Sequence, residues 1–217
     1  NVRRLERDLV IVREGHIEPV LLLTKTDLVS PEELEHLIGR IRLAGIDARI
    51  VTLSNVTGAG IDHVRELLLP GKTYCLLGSS GVGKTTLINQ LAAGPALETR
   101  GVSHTGEGRH TTTRRQLIVL EQGALLIDMP GMRELGMLGV GEGMDEAFSD
   151  ISELARTCRF TDCRHAGEPG CAVQAAIARH DLSAEHLRNY LKITKESQFN
   201  DLSYVERRRK DKAFGRF

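Results

Sequence analysis

The segment GSSGVGKT, residues 78–85, constrains this chain more than any other. It follows the apolar run KTYCLLG (72–78) and opens a helical pattern from Lys84 to about Ala93. Gly78-x-x-x-x-Gly83-Lys84-Thr85 is a complete Walker A pattern: its glycines let backbone N–H groups turn toward a phosphate, and the helix N-terminus adds the positive end of its dipole. Gly78, Ser79, Ser80, Gly81, Val82, Gly83, Lys84, Thr85 and Thr86 are the candidate phosphate contacts. Lys84 would neutralise β- and γ-phosphate charge, and the Thr85 hydroxyl would ligate Mg²⁺. The bland alternative is a Gly-rich turn, which eight matching positions between a strand and a helix argue against.

Elements alternate on either side of this loop. Residues 3–14 read as a helix with Leu5, Leu9 and Val12 as its apolar stripe, and PVLLLT (19–24) as a buried strand. Ser30-Pro31-Glu32-Glu33 supplies an N-cap, a first-turn proline and a capping-box glutamate for a helix to about Ala44. ARIVTLS (48–54) is the next strand and 61–69 the next helix, and RRQLIVLEQGALLID (114–128) reads as two strands joined by a Gln-Gly turn. Strand–helix alternation predicts an α/β fold with a doubly wound sheet. From Met144 onward strands vanish, leaving a helix, a Cys/His knot, and helices near 171–180 and 184–197. The expected division is therefore 1–143 and 144–217.

Composition excludes several classes. Hydrophobic content of 41% with 27% charged residues suits a soluble globular chain. No apolar run reaches the roughly 20 residues of a membrane span, no secretory leader is visible, and a cytoplasmic monomer without membrane contact is expected. A net charge of zero argues against a uniformly basic nucleic-acid binder, although ERRRKDKAFGRF (206–217) places six Lys/Arg against two acidic residues. The chain opens on Asn1 rather than Met, as a fragment would.

The stretch LLLTKTDLVS (21–30) ends a strand in Thr24-Lys25-x-Asp27, close to the Asn-Lys-x-Asp with which guanine-nucleotide-binding proteins read their base. Asp27 would accept from guanine N1–H and the exocyclic amine, and the Lys25 stem would lie along the ring. TLSNVTGAGI (52–61) resembles the second base loop, with Ser54 and Asn55 where Ser-Ala is usual and a backbone N–H able to reach O6. Either fragment alone is common; at the ends of two consecutive strands they reinforce each other. Downstream, Asp128-Met129-Pro130-Gly131 ends an apolar strand, with Asp128 placed to hold Mg²⁺ through water and Gly131 N–H to meet the γ-phosphate. The order is base, base, phosphate, switch, Mg²⁺: a circular permutation of the GTPase fold. Strand ends stay adjacent when a doubly wound sheet is cut elsewhere, so such a site survives rewiring.

The polar segment GVSHTGEGRHTTTRRQL (101–117) reads either as a surface loop or as a switch that orders with triphosphate. Thr111, Thr112 and Thr113 are all candidate Mg²⁺ ligands, with Thr112 or Thr113 favoured. Met132 occupies the position where Ras-like GTPases place a water-orienting Gln. His110 is the nearest group able to do that work, against the reading of a loop histidine facing solvent. Cys158-x4-Cys163-x-His165-x5-Cys171 offers three thiolates and an imidazole, which suit one structural tetrahedral Zn²⁺ per chain. That cysteine usage also favours a reducing compartment. Cys75 reads as a small core residue, and His16, His36, His63, His104, His180 and His186 as surface residues.

With these motifs in place, the permuted order, GSSGVGKTTL, GRHTTTRR, DMPGMRE and CRFTDCRHAGEPGCAV together resemble the RsgA/YjeQ family of circularly permuted, ribosome small-subunit-dependent GTPases. The resemblance implies a GTPase domain binding GTP/GDP with Mg²⁺, a small helical zinc domain touching ribosomal RNA, and action late in small-subunit assembly. It implies an OB-fold domain and a first GTPase strand ahead of Asn1. It points to His110 in catalysis, beside Lys84 and Thr112. Thr24 stands where the family usually has Asn, whose amide braces the phosphate loop and meets base N7; a Thr hydroxyl can do part of this. Two other classes share some of these motifs. A P-loop ATPase or kinase would keep 78–85 and Asp128 without pairing Lys25 and Asp27 with Ser54, and a zinc-dependent RNA-binding module would not need an intact Lys84, Thr85 and Asp128.

Overall fold

A computed structural model of the chain describes residues 1–92, 116–128, 137 and 139–202. The elements run α1 (Val2–Glu14), β1 (Val20–Leu23), α2 (Pro31–Leu43), β2 (Arg49–Thr52), α3 (Ile61–Leu67), β3 (Thr73–Leu76), α4 (Lys84–Leu91), β4 (Gln116–Val119) and β5 (Leu125–Asp128). Only helices follow among the described residues: α5 (Gly141–Ala147), α6 (Ser149–Ala155), α7 (Ala172–Ala178) and α8 (Ala184–Asn200). The predicted capping box forms at α2: the Glu33 N–H donates to Ser30 Oγ at 3.2 Å, and the Ser30 N–H to Glu33 Oε2 at 2.9 Å.

β1 and β2 pair in parallel, Val20 opposite Arg49 and Leu23 opposite Thr52. In the other sheet β5 lies centrally, parallel to β3 and antiparallel to β4. Gly123, at φ 83°, makes the predicted turn between β4 and β5, and its N–H donates to the Leu120 carbonyl at 2.9 Å. Where one doubly wound sheet is expected, the described strands thus form two ladders. The strands are four residues each, and the chain beyond β1 meets the phosphate loop through a side-chain bond past the strand end.

Packing divides the chain into two compact units. One holds residues 20–34 and 49–135, and so both sheets. Its core joins Val51 and Leu53 to Ile61, Val64 and Leu68 of the α3 region, Leu87 and Leu91 of α4, and Leu120 and Ala124. Each such aliphatic side chain, fully buried, contributes about 1.5–3 kcal/mol. The other holds residues 1–19, 35–48 and 136–217. Its core gathers Val10 from α1 with Met144, Phe148, Ile151, Val173, Leu187 and Ile193. Packing therefore groups α1 with the last helices, whereas the division read from motifs places 1–143 together.

The α1 contact depends on a glycine. A Cβ on Gly143 would lie 2.7 Å from the Glu14 backbone nitrogen, while its own N–H donates to Glu14 Oε2 at 2.7 Å. The buried face of α1 is Glu6, Leu9 and Val10, not the Leu5–Leu9–Val12 stripe read from the sequence. His186 and Asn189 of α8 hold the Glu6 carboxylate within that face. Among the described residues, no helix is long and apolar enough to cross a membrane.

Candidate functional site

The phosphate-loop glycines take the conformations that a side chain resists: φ is 149° at Gly78, 77° at Gly81 and 99° at Gly83. Gly83 caps the N-terminus of α4, where the first N–H groups have no acceptor within the helix itself. Lys84 folds back over the loop, its Nζ donating to the carbonyls of Gly78 at 2.7 Å and Ser79 at 2.9 Å. An ammonium parked over an anion cradle can hand those bonds to phosphate oxygens. Thr85 and Thr86 lie in the first turn of α4.

The base-reading candidates converge within the same unit. Lys25 adopts a left-handed backbone, φ 62° and ψ 36°, uncommon for a residue with a Cβ and a mark of local constraint. It starts the short 3₁₀ turn Thr26–Leu28 that carries Asp27. Fully buried Ser54 donates its hydroxyl to Asp27 Oδ1 at 2.5 Å. That same hydroxyl accepts the N–H groups of Val56 at 3.1 Å and Thr57 at 3.2 Å. Thr24 Oγ1 donates to the Val82 carbonyl at 2.8 Å, and Asn55 Nδ2 to the Gly83 carbonyl at 3.1 Å. Two strand-end loops and the phosphate loop are thereby tied together.

Asp128 ends β5 and is buried. Burial pushes its carboxyl up and the Lys84 ammonium opposes that rise. Asp128 and Thr85, the Mg²⁺ candidates read from the sequence, stand at the end of β5 and in the first turn of α4 within this unit. Thr111, Thr112, Thr113, His110, Gly131, Met132 and the basic tail lie outside the described residues.

The donor atoms of Cys158, Cys163, His165 and Cys171 lie within 4.8 Å of one another. A tetrahedral ion with about 2.3 Å bonds to sulfur and 2.0 Å to nitrogen needs ligand edges of about 3.8 and 3.5 Å. The cluster offers 3.9 Å between Cys158 and Cys171 sulfurs, 3.7 Å from Cys158 Sγ to His165 Nδ1, and 3.4 Å from that nitrogen to Cys171 Sγ. These three edges fit, and of the two His165 nitrogens it is Nδ1 that faces both sulfurs. Although the His165 N–H favours its thiolate, burial and the neighbouring Cys171 and Cys158 push Cys163 up to about 11. A cation would reverse that, because the ion stabilises each thiolate.

The knot is also braced by residues the sequence reading passed over. Glu168 accepts from the N–H groups of Ala166 at 2.8 Å and Arg164 at 3.1 Å, shaping the ligand loop. Gln174 Nε2 donates to the His165 carbonyl, and Cys171 Sγ caps α7 by accepting from Gln174 N–H at 3.4 Å. Two sequence expectations fail. His186 is buried rather than on the surface: its Nδ1 pairs with Glu6 of α1 and its Nε2 with Asp150 Oδ1 of α6 at 3.1 Å. Cys75 is exposed among the described residues, because alternation along β3 turns Tyr74 and Leu76 to the core and Cys75 to the other face.

The chain is similar to known proteins in sequence and in fold. The profile of the RsgA GTPase family matches residues 1–138. The chain is 41% identical over 217 residues to the small ribosomal subunit biogenesis GTPase RsgA 2 of Vibrio vulnificus, covering all of this chain and 62% of that protein. It is 43% identical over 200 residues to the small ribosomal subunit biogenesis GTPase RsgA of Methanosarcina acetivorans, covering 92% of this chain and 54% of that one. The chain thus spans little more than half the length of these curated relatives. The crystal structure of YjeQ from Thermotoga maritima superposes with a TM-score of 0.66 at 28% identity, over 90% of this chain and 66% of that one. YloQ, described as a circularly permuted GTPase, gives 0.62 at 24% identity over 94% and 65%, a likeness of fold. Permuted motif order, strand-end geometry and a profile spanning more than half the residues converge: the chain belongs to the RsgA GTPase family.

Proposed function

We propose that this chain hydrolyses GTP to GDP and phosphate as a cytoplasmic factor in late maturation of the small ribosomal subunit, and that the subunit stimulates its turnover. The observation that carries the reading is the Ser54–Asp27 bond beside a phosphate loop tied to both strand-end loops. A P-loop ATPase has no use for a carboxylate held in that way. In this reading residues 1–143 serve as the permuted GTPase domain, and 144–217 as a helical zinc domain and basic tail that meet ribosomal RNA. The protein acts as a monomer.

Asp27 reads guanine, Lys25 covers the ring, and a backbone N–H near Asn55 meets O6. Backbone N–H groups from Gly81 through Thr86 hold the α- and β-phosphates, and Lys84 leaves its loop carbonyls to pair with β- and γ-phosphate oxygens. Thr85 and Asp128, with a switch threonine (Thr112 or Thr113), would hold Mg²⁺, which neutralises charge developing on the phosphates. Gly131 N–H would meet the γ-phosphate. Met132 cannot orient water, so His110 takes that role when the subunit positions the switch. Cys158, Cys163, His165 and Cys171 hold zinc as a structural ion with no vacant position.

The test is phosphate release from GTP with and without small ribosomal subunits, with ATP and GTP in competition. Stimulated, guanine-selective turnover is expected; turnover indifferent to subunits, or preferring ATP, overturns the proposal. His110→Ala should leave GTP affinity near the parent value and lower stimulated kcat by roughly 10²–10⁴-fold. A kcat within about threefold of the parent would move water orientation to the ribosome.

A further inference from the structure

We infer that Asn55 is a positioning residue: its side-chain amide fixes the aim of the phosphate-binding N–H groups, supplying from the second base loop part of the brace for which Thr24 has no amide. The inference rests on the guanine-nucleotide reading of this site.

Two consecutive peptide units of the phosphate loop are held by side chains from the strand-end loops. Thr24 Oγ1 donates to the Val82 carbonyl at 2.8 Å, and Asn55 Nδ2 donates to the Gly83 carbonyl at 3.1 Å. A trans peptide is planar, so its N–H points opposite to its C=O. Holding the Val82 carbonyl from behind therefore aims the Gly83 N–H, and holding the Gly83 carbonyl aims the Lys84 N–H. Those two groups lie at the N-terminus of α4, where a phosphate would be received.

Three further observations assign the second bond to this task. The Gly83 carbonyl already accepts the helical bond from the Leu87 N–H at 2.9 Å, so Asn55 is not rescuing a stranded acceptor. The opposite end of the Asn55 carboxamide, Oδ1, is buried with no partner among the described residues, leaving the Gly83 contact to fix how the amide points. Finally, residue 55 is anchored on α4 at a second place, since Gln90 Nε2 donates to its backbone carbonyl at 2.7 Å. The fit excludes side chains at Gly83, where a Cβ would come within 2.5 Å of Asn55 Nδ2.

A base contact and a phosphate-loop brace predict different losses. The measurement is affinity of the full chain for GDP and for guanosine, by competition against a fluorescent guanine nucleotide, in the parent, Asn55→Ala and Asn55→Asp. Asn55→Asp keeps the volume but cannot donate to the Gly83 carbonyl. Both variants are expected to bind GDP about tenfold more weakly, the scale of one lost hydrogen bond, with guanosine affinity within about twofold of the parent. Loss of GDP and guanosine affinity together would make Asn55 a base contact, and unchanged GDP affinity would make the bond incidental. Failure of both variants to fold would make it a scaffold residue. Each of these overturns the proposal while the nucleotide reading stands. A parent chain that prefers neither guanosine to adenosine nor GDP to ADP overturns both.

Discussion

At Asp27 one carboxylate oxygen is already committed, because Ser54 donates to Oδ1. In the proposed guanine reading the other meets the base, and this makes the consequence of substitution specific. In Asp27→Asn the side-chain oxygen stays with the Ser54 hydroxyl and the amide nitrogen turns to the base. That donor would face the N1–H and amine of guanine, but the C2 carbonyl of xanthine. GTP affinity should fall roughly 10²-fold, the cost of losing charge-assisted bonds, and xanthosine triphosphate should bind instead. Nucleotide competition reads the switch; retained guanine preference would remove Asp27 from the site. The motif was legible here because its residues are contiguous and end a strand. Its Ser54 partner sits on another loop, and only chemistry, not spacing, hinted that the two side chains would meet.

Among the elements, α1, α6 and α8 are pinned by one buried ion group. His186 lies between Glu6 and Asp150, with Asn189 Nδ2 on the second Glu6 oxygen and the Phe148 ring 4.9 Å away. Burial pulls the imidazole pKa down, but hydrogen bonds and charge from Asp150 and Glu6 outweigh this and hold it up at about 9. The folded value lies above the ordinary 6.5, so this contribution to stability is full below pH 6.5 and is lost as pH rises through about 9. Glu6→Gln should destabilise by about 3 kcal/mol, as for one partner removed from a buried pair. It should also flatten the decline in Tm between pH 7 and 9.5 relative to the parent, with both effects read by thermal melts. An unchanged pH profile would show that His186 is neutral in the folded chain. No sequence pattern announced this group: a glutamate interrupts the apolar face of α1, and its partner is 180 positions away. The convergence of Cys158, Cys163, His165 and Cys171 was legible by contrast, since all four lie within one short stretch.

For the molecule as a whole, Val10 of α1 and Cys171 of the knot share one core, with Cys158 and Cys163 packed against it. Strong chelation, or Cys163→Ser, should therefore raise amide exchange in α1 as well as near the knot, while GDP binding persists in the unit that holds both sheets. Hydrogen exchange with and without chelator checks this, and an α1 indifferent to metal removal would disconnect the two. The alternation of strands and helices was readable throughout because buried strands and capped helices carry local signals. The grouping of α1 with α5 through α8 was not, because it depends on which surfaces meet.

That grouping also bears on the order of synthesis. α1 emerges ahead of α8, whose Glu185, His186, Asn189 and Glu196 are its partners and follow some 180 positions later. At about 10 residues per second the wait is on the order of 20 s. During that interval the sheet-bearing unit can close around its own core, while Leu9 and Val10 stay uncovered. Nascent-chain folding should thus complete the sheet-bearing unit before the α1 face is covered.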